Sequence, residues 1–170
     1  MNKLVTVREM TAADLEPVRL IYNSSVEHTT AVWTEETRDA AEQRAWFEEK
    51  QAAGWPILLA VDENAADPVL GYATLGPFRS QPGFCRTAEH SIHVAPAARG
   101  RGVGRSLLAA LIERAEALPL WGLIGVISAD NAASLALHAA LGFEEVGRFP
   151  GVGLKWGRRL DAVFVQKRIG

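Results

Sequence analysis

The segment that most constrains the fold runs from Glu89 to Leu108, where a strand-like stretch leads into a glycine-rich loop and then a helix. Gly100, Gly102 and Gly104 lie within five residues of one another. Beyond them, apolar residues recur at helical spacing: Val103, Leu107, Leu108, Leu111, Ile112 and Ala115. A helix that begins behind such a loop presents unpaired backbone N–H groups and the positive end of its dipole. The segment therefore predicts a phosphate or pyrophosphate site.

Arg99, Arg101 and Arg105 add positive charge to this loop, although the chain as a whole is nearly neutral. Its 170 residues carry a formal net charge of −2, whereas a general nucleic-acid-binding domain is normally basic. A hydrophobic content of 48% and a charged content of 22% are ordinary for a globular protein. We expect one domain over residues 1–170 and no nucleic-acid partner.

The single cysteine, Cys85, excludes an intramolecular disulfide and a cysteine-based zinc cluster. The first residues lack the apolar run of a signal peptide, and no stretch approaches the roughly 20 apolar residues that span a bilayer. A cytoplasmic protein with no membrane partner is expected.

Periodicity and turn residues predict an α/β fold in the order strand, two helices, three strands, helix, strand, helix, two strands. Thr11 with Asp14 indicates a helix start of the capping-box type. The consecutive strands favour antiparallel pairing, and the passage from Glu89 to Ser128 favours a parallel pair. The result is a mixed sheet with helices on both faces. The predicted strands are Leu4–Arg8, Ile57–Val61, Val69–Leu75, Glu89–Val94, Leu123–Ser128, Phe143–Phe149 and Leu160–Val165; a helical composition covers Thr37–Ala53, and a later helix is capped by Asp130 and Asn131 and stops at Gly142.

Two connections carry further expectations. His28 to Trp33 reads as a packed loop, a frequent location for ligand contacts. The glycines between Pro150 and Gly157 predict a mobile or tightly turned connection between the last two strands.

The glycine loop matches neither of two common nucleotide-binding patterns. A Walker A loop requires a Lys followed by Ser or Thr after its last glycine, and no Lys follows here. A dinucleotide fingerprint requires G-x-G-x-x-G at an early strand, whereas Gly100 to Gly104 has a different spacing and comes late in the chain.

The pattern Arg99-x-x-Gly102-x-Gly104 after a strand resembles the acyl-CoA pyrophosphate loop of the Gcn5-related N-acetyltransferase (GNAT) superfamily. Asn131 and Ser134, followed by Gly142-Phe143, resemble the helix with which that superfamily contacts the pantetheine arm. The element order is also similar over essentially the whole chain. The resemblance implies a mostly antiparallel sheet that splays at the acyl-CoA site, acetyl-CoA as co-substrate and no metal. The cofactor-binding residues that it implies are Ile92, His93, Val94, Arg99, Gly100, Arg101, Gly102, Val103, Gly104, Asn131 and Ser134.

Within the superfamily, Thr87 to Val94, the Thr29-Thr30 loop and Gly153 to Asp161 resemble the phosphinothricin and methionine sulfoximine N-acetyltransferase branch. Two positions depart from that branch. His93 stands where Tyr is usual, and Arg159 stands where an aromatic residue is often found. These two differences bear on which acceptor the enzyme uses and leave the CoA-binding motifs intact.

The implied reaction is acetyl transfer from a thioester to the α-amine of a small amino-acid-like substrate, which requires a general base. On an extended strand Glu89, Ser91 and His93 face one way and His90, Ile92 and Val94 the other. Glu89 occupies the branch's base position. A backbone N–H among residues 92–94 is expected to stabilise the oxyanion.

His138 occupies the position at which many members place a proton-donating Tyr, so it is the candidate acid for the departing thiolate; the thiolate can also leave unaided. Arg79 is the candidate for the substrate carboxylate. The substrate-binding residues expected from the resemblance are Thr30, Phe78, Arg79, Glu89, His90 and Ser91.

Two other functions stay open from the residues alone: a protein or peptide N-acetyltransferase, and a non-catalytic acyl-CoA-sensing module. The resemblance also implies a homodimer, to which residues 155–161 could contribute.

Overall fold

The computed structural model of the chain describes residues 5–65 and 68–170. The strands are β1 (Thr6–Glu9), β2 (Ile57–Val61), β3 (Val69–Pro77), β4 (Thr87–Val94), β5 (Gly122–Ser128), β6 (Glu144–Lys155) and β7 (Arg158–Arg168); the helices are α1 (Leu15–His28), α2 (Ala40–Ala52), α3 (Val103–Glu116) and α4 (Ala132–Ala140). The predicted element order is confirmed. Leu4, predicted as the first strand residue, lies outside the described residues.

Local capping decides where the first two helices begin. The Asp14 carboxylate accepts hydrogen bonds from the Thr11 N–H and hydroxyl, and it pairs with Arg8 at 2.7 Å. Helix α2 begins at Ala40 rather than at the predicted Thr37, because Asp39 caps it by accepting from the Glu42 N–H at 2.8 Å.

The strands form one mixed sheet in the order β1-β2-β3-β4-β5-β7-β6. Every neighbouring pair is antiparallel except β4 and β5, as the sequence predicts. The parallel ladder joins only residues 87–89 of β4 to residues 122–124 of β5. Beyond Glu89 the two strands separate, which opens the sheet near its middle.

Helices cover both faces of this sheet. One apolar cluster packs α1 and α2 against β2 and β3 around Val18, Phe47 and Tyr72. The larger cluster packs α3 against the opposite face, with Leu107, Leu108 and Leu111 fully buried; residues of α4 flank it. Within the described residues, no helix is long and apolar enough to cross a membrane.

Side chains of β4 alternate between the two faces, as predicted. His93 lies beside Tyr22 of α1, at 5.9 Å between ring centroids. His90 lies beside His138 of α4, at 5.0 Å. The opened part of the sheet therefore exposes groups of β4 to both helical layers.

The prediction for Pro150 to Gly157 is wrong. Strand β6 continues to Lys155, with a register irregularity between Phe149 and Gly153, and only Trp156 and Gly157 form the turn. The segment is held from the side by the Trp33 ring, which packs against Gly153. The Lys155 side chain is also fully buried. These contacts are tertiary, so the glycine content of the segment does not reveal them.

Candidate active site

A cavity of about 360 Å³ occupies the position where β4 and β5 separate. It passes through the sheet and is lined from both helical layers. On the α1–α2 side its wall contains Tyr22, Trp33, Arg38, Trp46 and Lys50, together with Tyr72 and Thr74 of β3; on the α4 side it contains Asn131, Ser134 and His138. Glu89, His90, Ser91, Ile92 and His93 of β4 also line the cavity.

The glycine loop leads directly into α3. Gly100 and Gly102 adopt positive φ angles of 72° and 81°, which glycine accepts without strain. The first hydrogen bond into α3 runs from the Ser106 N–H to Gly102 O at 3.1 Å, so the N–H groups of residues 103–105 precede the helical ladder. A Cβ atom added at Gly100 or Gly102 would meet no other atom within 4 Å. This open space beside a helix N-terminus fits a pyrophosphate.

The three arginines of this region have different surroundings. Arg99 is exposed and donates from Nε to Val94 O at 3.3 Å, which ties the loop to the end of β4. Arg101 lies 3.8 Å from a carboxylate oxygen of the buried Asp62. Arg105 is exposed on the first turn of α3. The Val103 side chain is buried in the core, so any contact with a phosphate would come from its backbone.

Glu89 lies half-buried in the cavity wall at the last paired position of the β4–β5 ladder. Burial raises the pKa of its carboxyl above the ordinary value, and the positive charges of Arg79 and Lys50 partly offset this rise. A carboxyl with a raised pKa is a stronger proton acceptor once it is ionised, which suits a general base.

His93, which stands where the branch usually has Tyr, is a neutral ring in the cavity wall. Its Nδ1 lies 3.2 Å from the Ser25 hydroxyl, and its ring stacks on Tyr72 with centroids 4.9 Å apart. Burial, with a smaller contribution from Arg38, lowers the pKa of His93 to about 4. This side chain is therefore an uncharged part of the wall near neutral pH.

His90 and His138 form a buried pair across the opened sheet. Their Nε2 atoms are 2.7 Å apart, and His138 Nδ1 lies 2.7 Å from the carbonyl oxygen of Ser134. Because a carbonyl only accepts, His138 carries its proton on Nδ1, and the neutral pair then requires His90 Nε2–H to donate to His138 Nε2. Burial and the neighbouring His138 lower the pKa of His90 to about 3, and burial also lowers the pKa of His138. Both nitrogens of His138 are thus engaged, an arrangement that does not favour the acid role expected from the sequence.

The pantetheine residues expected from the sequence lie together. Asn131 caps α4 by accepting from the Ser134 N–H at 3.1 Å, and both side chains line the cavity on the side of the helix. Ile92 and His93 line it from β4, while Val94 is not a lining residue and ends β4 beside Gly104.

The expected substrate residues divide into two groups. Ser91 and Glu89 line the cavity on the α1–α2 side, whereas His90 faces the α4 layer. Phe78 and Arg79 are not among the lining residues: the Arg79 guanidinium stacks on Phe78 at 4.2 Å and donates to the Phe78 carbonyl. Thr30 donates to Asp130 at 2.8 Å and so connects the α1–α2 loop to the start of α4.

Sequence reasoning missed two cations of the cavity wall, Arg38 and Lys50. Arg38 lies between the first two helices in a segment without periodicity, and Lys50 lies on a helix with a weak apolar face. No motif identifies either residue, and only the packing of α1 and α2 brings them toward Glu89. Among the residues that the structure describes, no group of three His, Cys, Asp or Glu side chains could hold a metal ion.

Known proteins share this architecture. A methionine sulfoximine and methionine sulfone acetyltransferase of Pseudomonas aeruginosa is 47% identical over 161 residues, covering 95% of this chain and 92% of the relative. A phosphinothricin acetyltransferase of Sinorhizobium meliloti, solved in complex with acetyl-CoA, matches with a TM-score of 0.93 and 38% identity over 100% of this chain and 90% of that one. A ribosomal-protein-alanine N-acetyltransferase of Brucella melitensis matches with a TM-score of 0.92 and 45% identity over 96% and 99%.

The profile of one protein family, described as an acetyltransferase (GNAT) domain, matches residues 5–144. That range includes the glycine loop, the opened pair β4 and β5, and helix α4. Acetyl-CoA is the co-substrate of the family. Its pyrophosphate fits the open space at Gly102, and its pantetheine arm fits the cavity. The chain is a member of the GNAT acetyltransferase family.

Proposed function

We propose that this protein transfers the acetyl group of acetyl-CoA to the α-amine of a small amino acid of the methionine sulfoximine, methionine sulfone or phosphinothricin type. The observation that carries the proposal is the continuous cavity. It joins the CoA-side residues Asn131 and Ser134 to the carboxylate of Glu89 on the opposite face of the sheet. Relatives that share most of the chain carry these substrates in their names.

The chemistry needs a proton acceptor and an electrophile held together. In the proposed step Glu89, directly or through a water, takes a proton from the acceptor ammonium, and the free amine attacks the thioester carbonyl carbon. As the C–N bond forms and the C–S bond breaks, the nitrogen gives up its second proton to the departing thiolate or to water. Backbone N–H groups of residues 92–94 would stabilise the charge that develops on the carbonyl oxygen.

CoA then departs as a thiolate. The His90–His138 arrangement favours departure without a proton from His138, because its Nδ1–H is held by the Ser134 carbonyl. His138 in this view shapes the wall beside Ser134 and pairs with His90.

A panel of acceptors tests the proposed substrate class. Thiol release from acetyl-CoA should be fastest with L-methionine sulfone, L-methionine sulfoximine or phosphinothricin, and slower by at least about 10-fold in kcat/KM with an Ala-initiated peptide, a difference of 1.4 kcal/mol. The peptide is a real competitor, since the Brucella protein with 45% identity is named for a protein substrate. A peptide preference would replace the small-molecule proposal. Tight acetyl-CoA binding without turnover of any amine would favour a sensing module.

Gly102→Val tests the proposed pyrophosphate site. A β-branched residue at φ of 81° is strained and would occupy the space beside the N-terminus of α3. We expect the Kd for acetyl-CoA to rise more than about 10-fold. Gly54→Val is the matched control, because Gly54 also has a positive φ of 72° and open surroundings, but lies at the end of α2. Equal affinity losses in both variants would reject the assignment.

We also propose that two copies associate through the edge strand β6. This strand ends the sheet and carries four exposed apolar side chains, Val146, Phe149, Val152 and Leu154, and the exposed Trp156 follows in the turn. An unpaired edge with such a row is a surface that proteins normally cover. Sedimentation should show a dimer for the wild type and a monomer for Leu154→Glu, with Leu20→Glu on α1 as the exposed apolar control. A wild-type monomer would contradict the proposal.

We also propose that the enzyme works in the cytoplasm, because its co-substrate is acetyl-CoA.

A further inference from the structure

Arg38 is a cavity residue with no acidic partner among the described residues. Its guanidinium stacks on the Tyr22 ring at 3.7 Å and lies 5.1 Å from the Trp46 ring. Its hydrogen-bond acceptor is the Gln43 side-chain oxygen, at a long 3.4 Å. An arginine held in this way keeps most of its N–H donors available.

The backbone of Arg38 is fixed to helix α1. Asn23 accepts from the Arg38 N–H at 2.8 Å and donates to the Arg38 carbonyl at 2.9 Å. Arg19 donates to the same carbonyl at 3.1 Å. These bonds fix the Arg38 backbone against the side of α1, and the two aromatic rings define the direction of its side chain. Such pre-organisation reduces the entropy that a ligand must remove on binding.

Stacking on Tyr22 uses the face of the guanidinium and leaves its edge free. The edge carries the N–H donors, which can bind the two oxygens of a carboxylate in parallel. The other cavity cation is less suited to this task. Lys50 already donates to Leu75 O at 2.6 Å, and burial lowers its pKa.

The charges of the wall match an amino acid. Glu89 is the carboxylate among the lining residues, and it would take the amine; Arg38 and Lys50 are the lining cations. Arg79, the residue that the sequence pattern favours for the carboxylate, is outside the lining and stacks on Phe78.

We infer that Arg38 binds the carboxylate of the acceptor and so determines the preference of this enzyme for free amino acids over amines that lack a carboxylate. This inference rests on the proposed acetyl transfer and adds the residue that selects its substrate.

The test compares L-methionine sulfone with its carboxamide, which keeps the amine and the sulfone but lacks the negative charge. For the wild type, kcat/KM should favour the acid by about 30-fold, as expected for a charge-assisted hydrogen-bonded pair. In Arg38→Gln this ratio should fall to within about threefold, through loss of the acid rate while the amide rate persists. Arg79→Gln and the exposed Arg44→Gln, on α2, should retain the wild-type ratio.

Two kinetic outcomes would overturn the inference. Equal losses for acid and amide in Arg38→Gln would make Arg38 a structural residue. A collapsed ratio in Arg79→Gln with an intact ratio in Arg38→Gln would assign the carboxylate to Arg79.

A binding measurement separates this inference from the proposed function. If the wild type turns over neither amine, calorimetric titration of methionine sulfone into the CoA-saturated protein still reports on Arg38. Binding that Arg38→Gln abolishes would support the inference while the acetyl-transfer proposal fails. If methionine sulfone did not bind to the wild type, both the role of Arg38 and the acetyl-transfer proposal would be rejected.

Discussion

Glu89→Gln should lower kcat by about 100-fold or more while leaving the Kd for acetyl-CoA unchanged, because general-base catalysis typically contributes 10²–10⁴-fold. Gln is close to Glu in size and can still occupy the half-buried position in the cavity wall, but it cannot accept a proton. Stopped-flow thiol release and acetyl-CoA titration measure the two quantities separately. Ser91→Ala is the matched control, since Ser91 lines the same face of β4 and has no proposed part in proton transfer. A rate for Glu89→Gln within about twofold of the wild type would eliminate Glu89 as an essential base.

The same residue predicts the acid limb of the pH profile. Because burial raises the pKa of Glu89, the carboxylate is lost by protonation at a higher pH than for an ordinary glutamate. The rate should therefore fall as the pH decreases through this raised pKa and level off above it. In Glu89→Gln that limb should be absent, and its persistence would assign the titration to another group.

Lys155→Met should produce the largest loss of stability. The Lys155 side chain is 1% exposed, and its ammonium donates to the carbonyl oxygens of Val26, Thr29 and Val32, each at 2.6 Å. Two of these carbonyls belong to the C-terminal end of α1, where a cation is favoured by the helix dipole. Removing the ammonium leaves three carbonyls without their donor, at a cost of about 3–5 kcal/mol in the free energy of unfolding.

Chemical denaturation of the variant measures this loss, and acceptor kinetics measure its effect on the cavity. Residues 31–33 line the cavity, so a displaced loop should raise the acceptor KM more than the KM for acetyl-CoA. Lys167→Met, at a half-buried position on β7, is the control and should change stability by less than about 1 kcal/mol. Full stability of Lys155→Met would mean that the three carbonyls do not depend on this side chain.

Local signals account for the parts of the fold that the sequence predicts correctly. The glycine triplet, the helical spacing behind it and the Asn131 cap are short-range features, so strand β4 and helices α3 and α4 could be placed from the residues alone. The opening between β4 and β5 was expected only from the resemblance to the GNAT superfamily. The alternation along β4 likewise put Glu89 and His90 on opposite faces.

The features that were missed depend on packing between distant segments. The last hairpin contacts the loop after α1, because Lys155 reaches carbonyls 123–129 positions earlier in the chain and Trp33 packs on Gly153. Arg38 enters the cavity because Asn23 and Tyr22 hold it. Neither arrangement has a periodic or motif signature, so an interpretation that follows motifs selects Arg79 and overlooks Arg38.

The most direct test of the account is a stoichiometric one. The purified protein would be incubated with acetyl-CoA and L-methionine sulfone, with thiol release followed continuously and the acceptor examined by mass spectrometry. We predict saturable turnover with one N-acetylated amino acid formed for each CoA released. Release of CoA without an acetylated amine, or acetyl-CoA binding with no turnover of methionine sulfone, methionine sulfoximine or phosphinothricin, would contradict it.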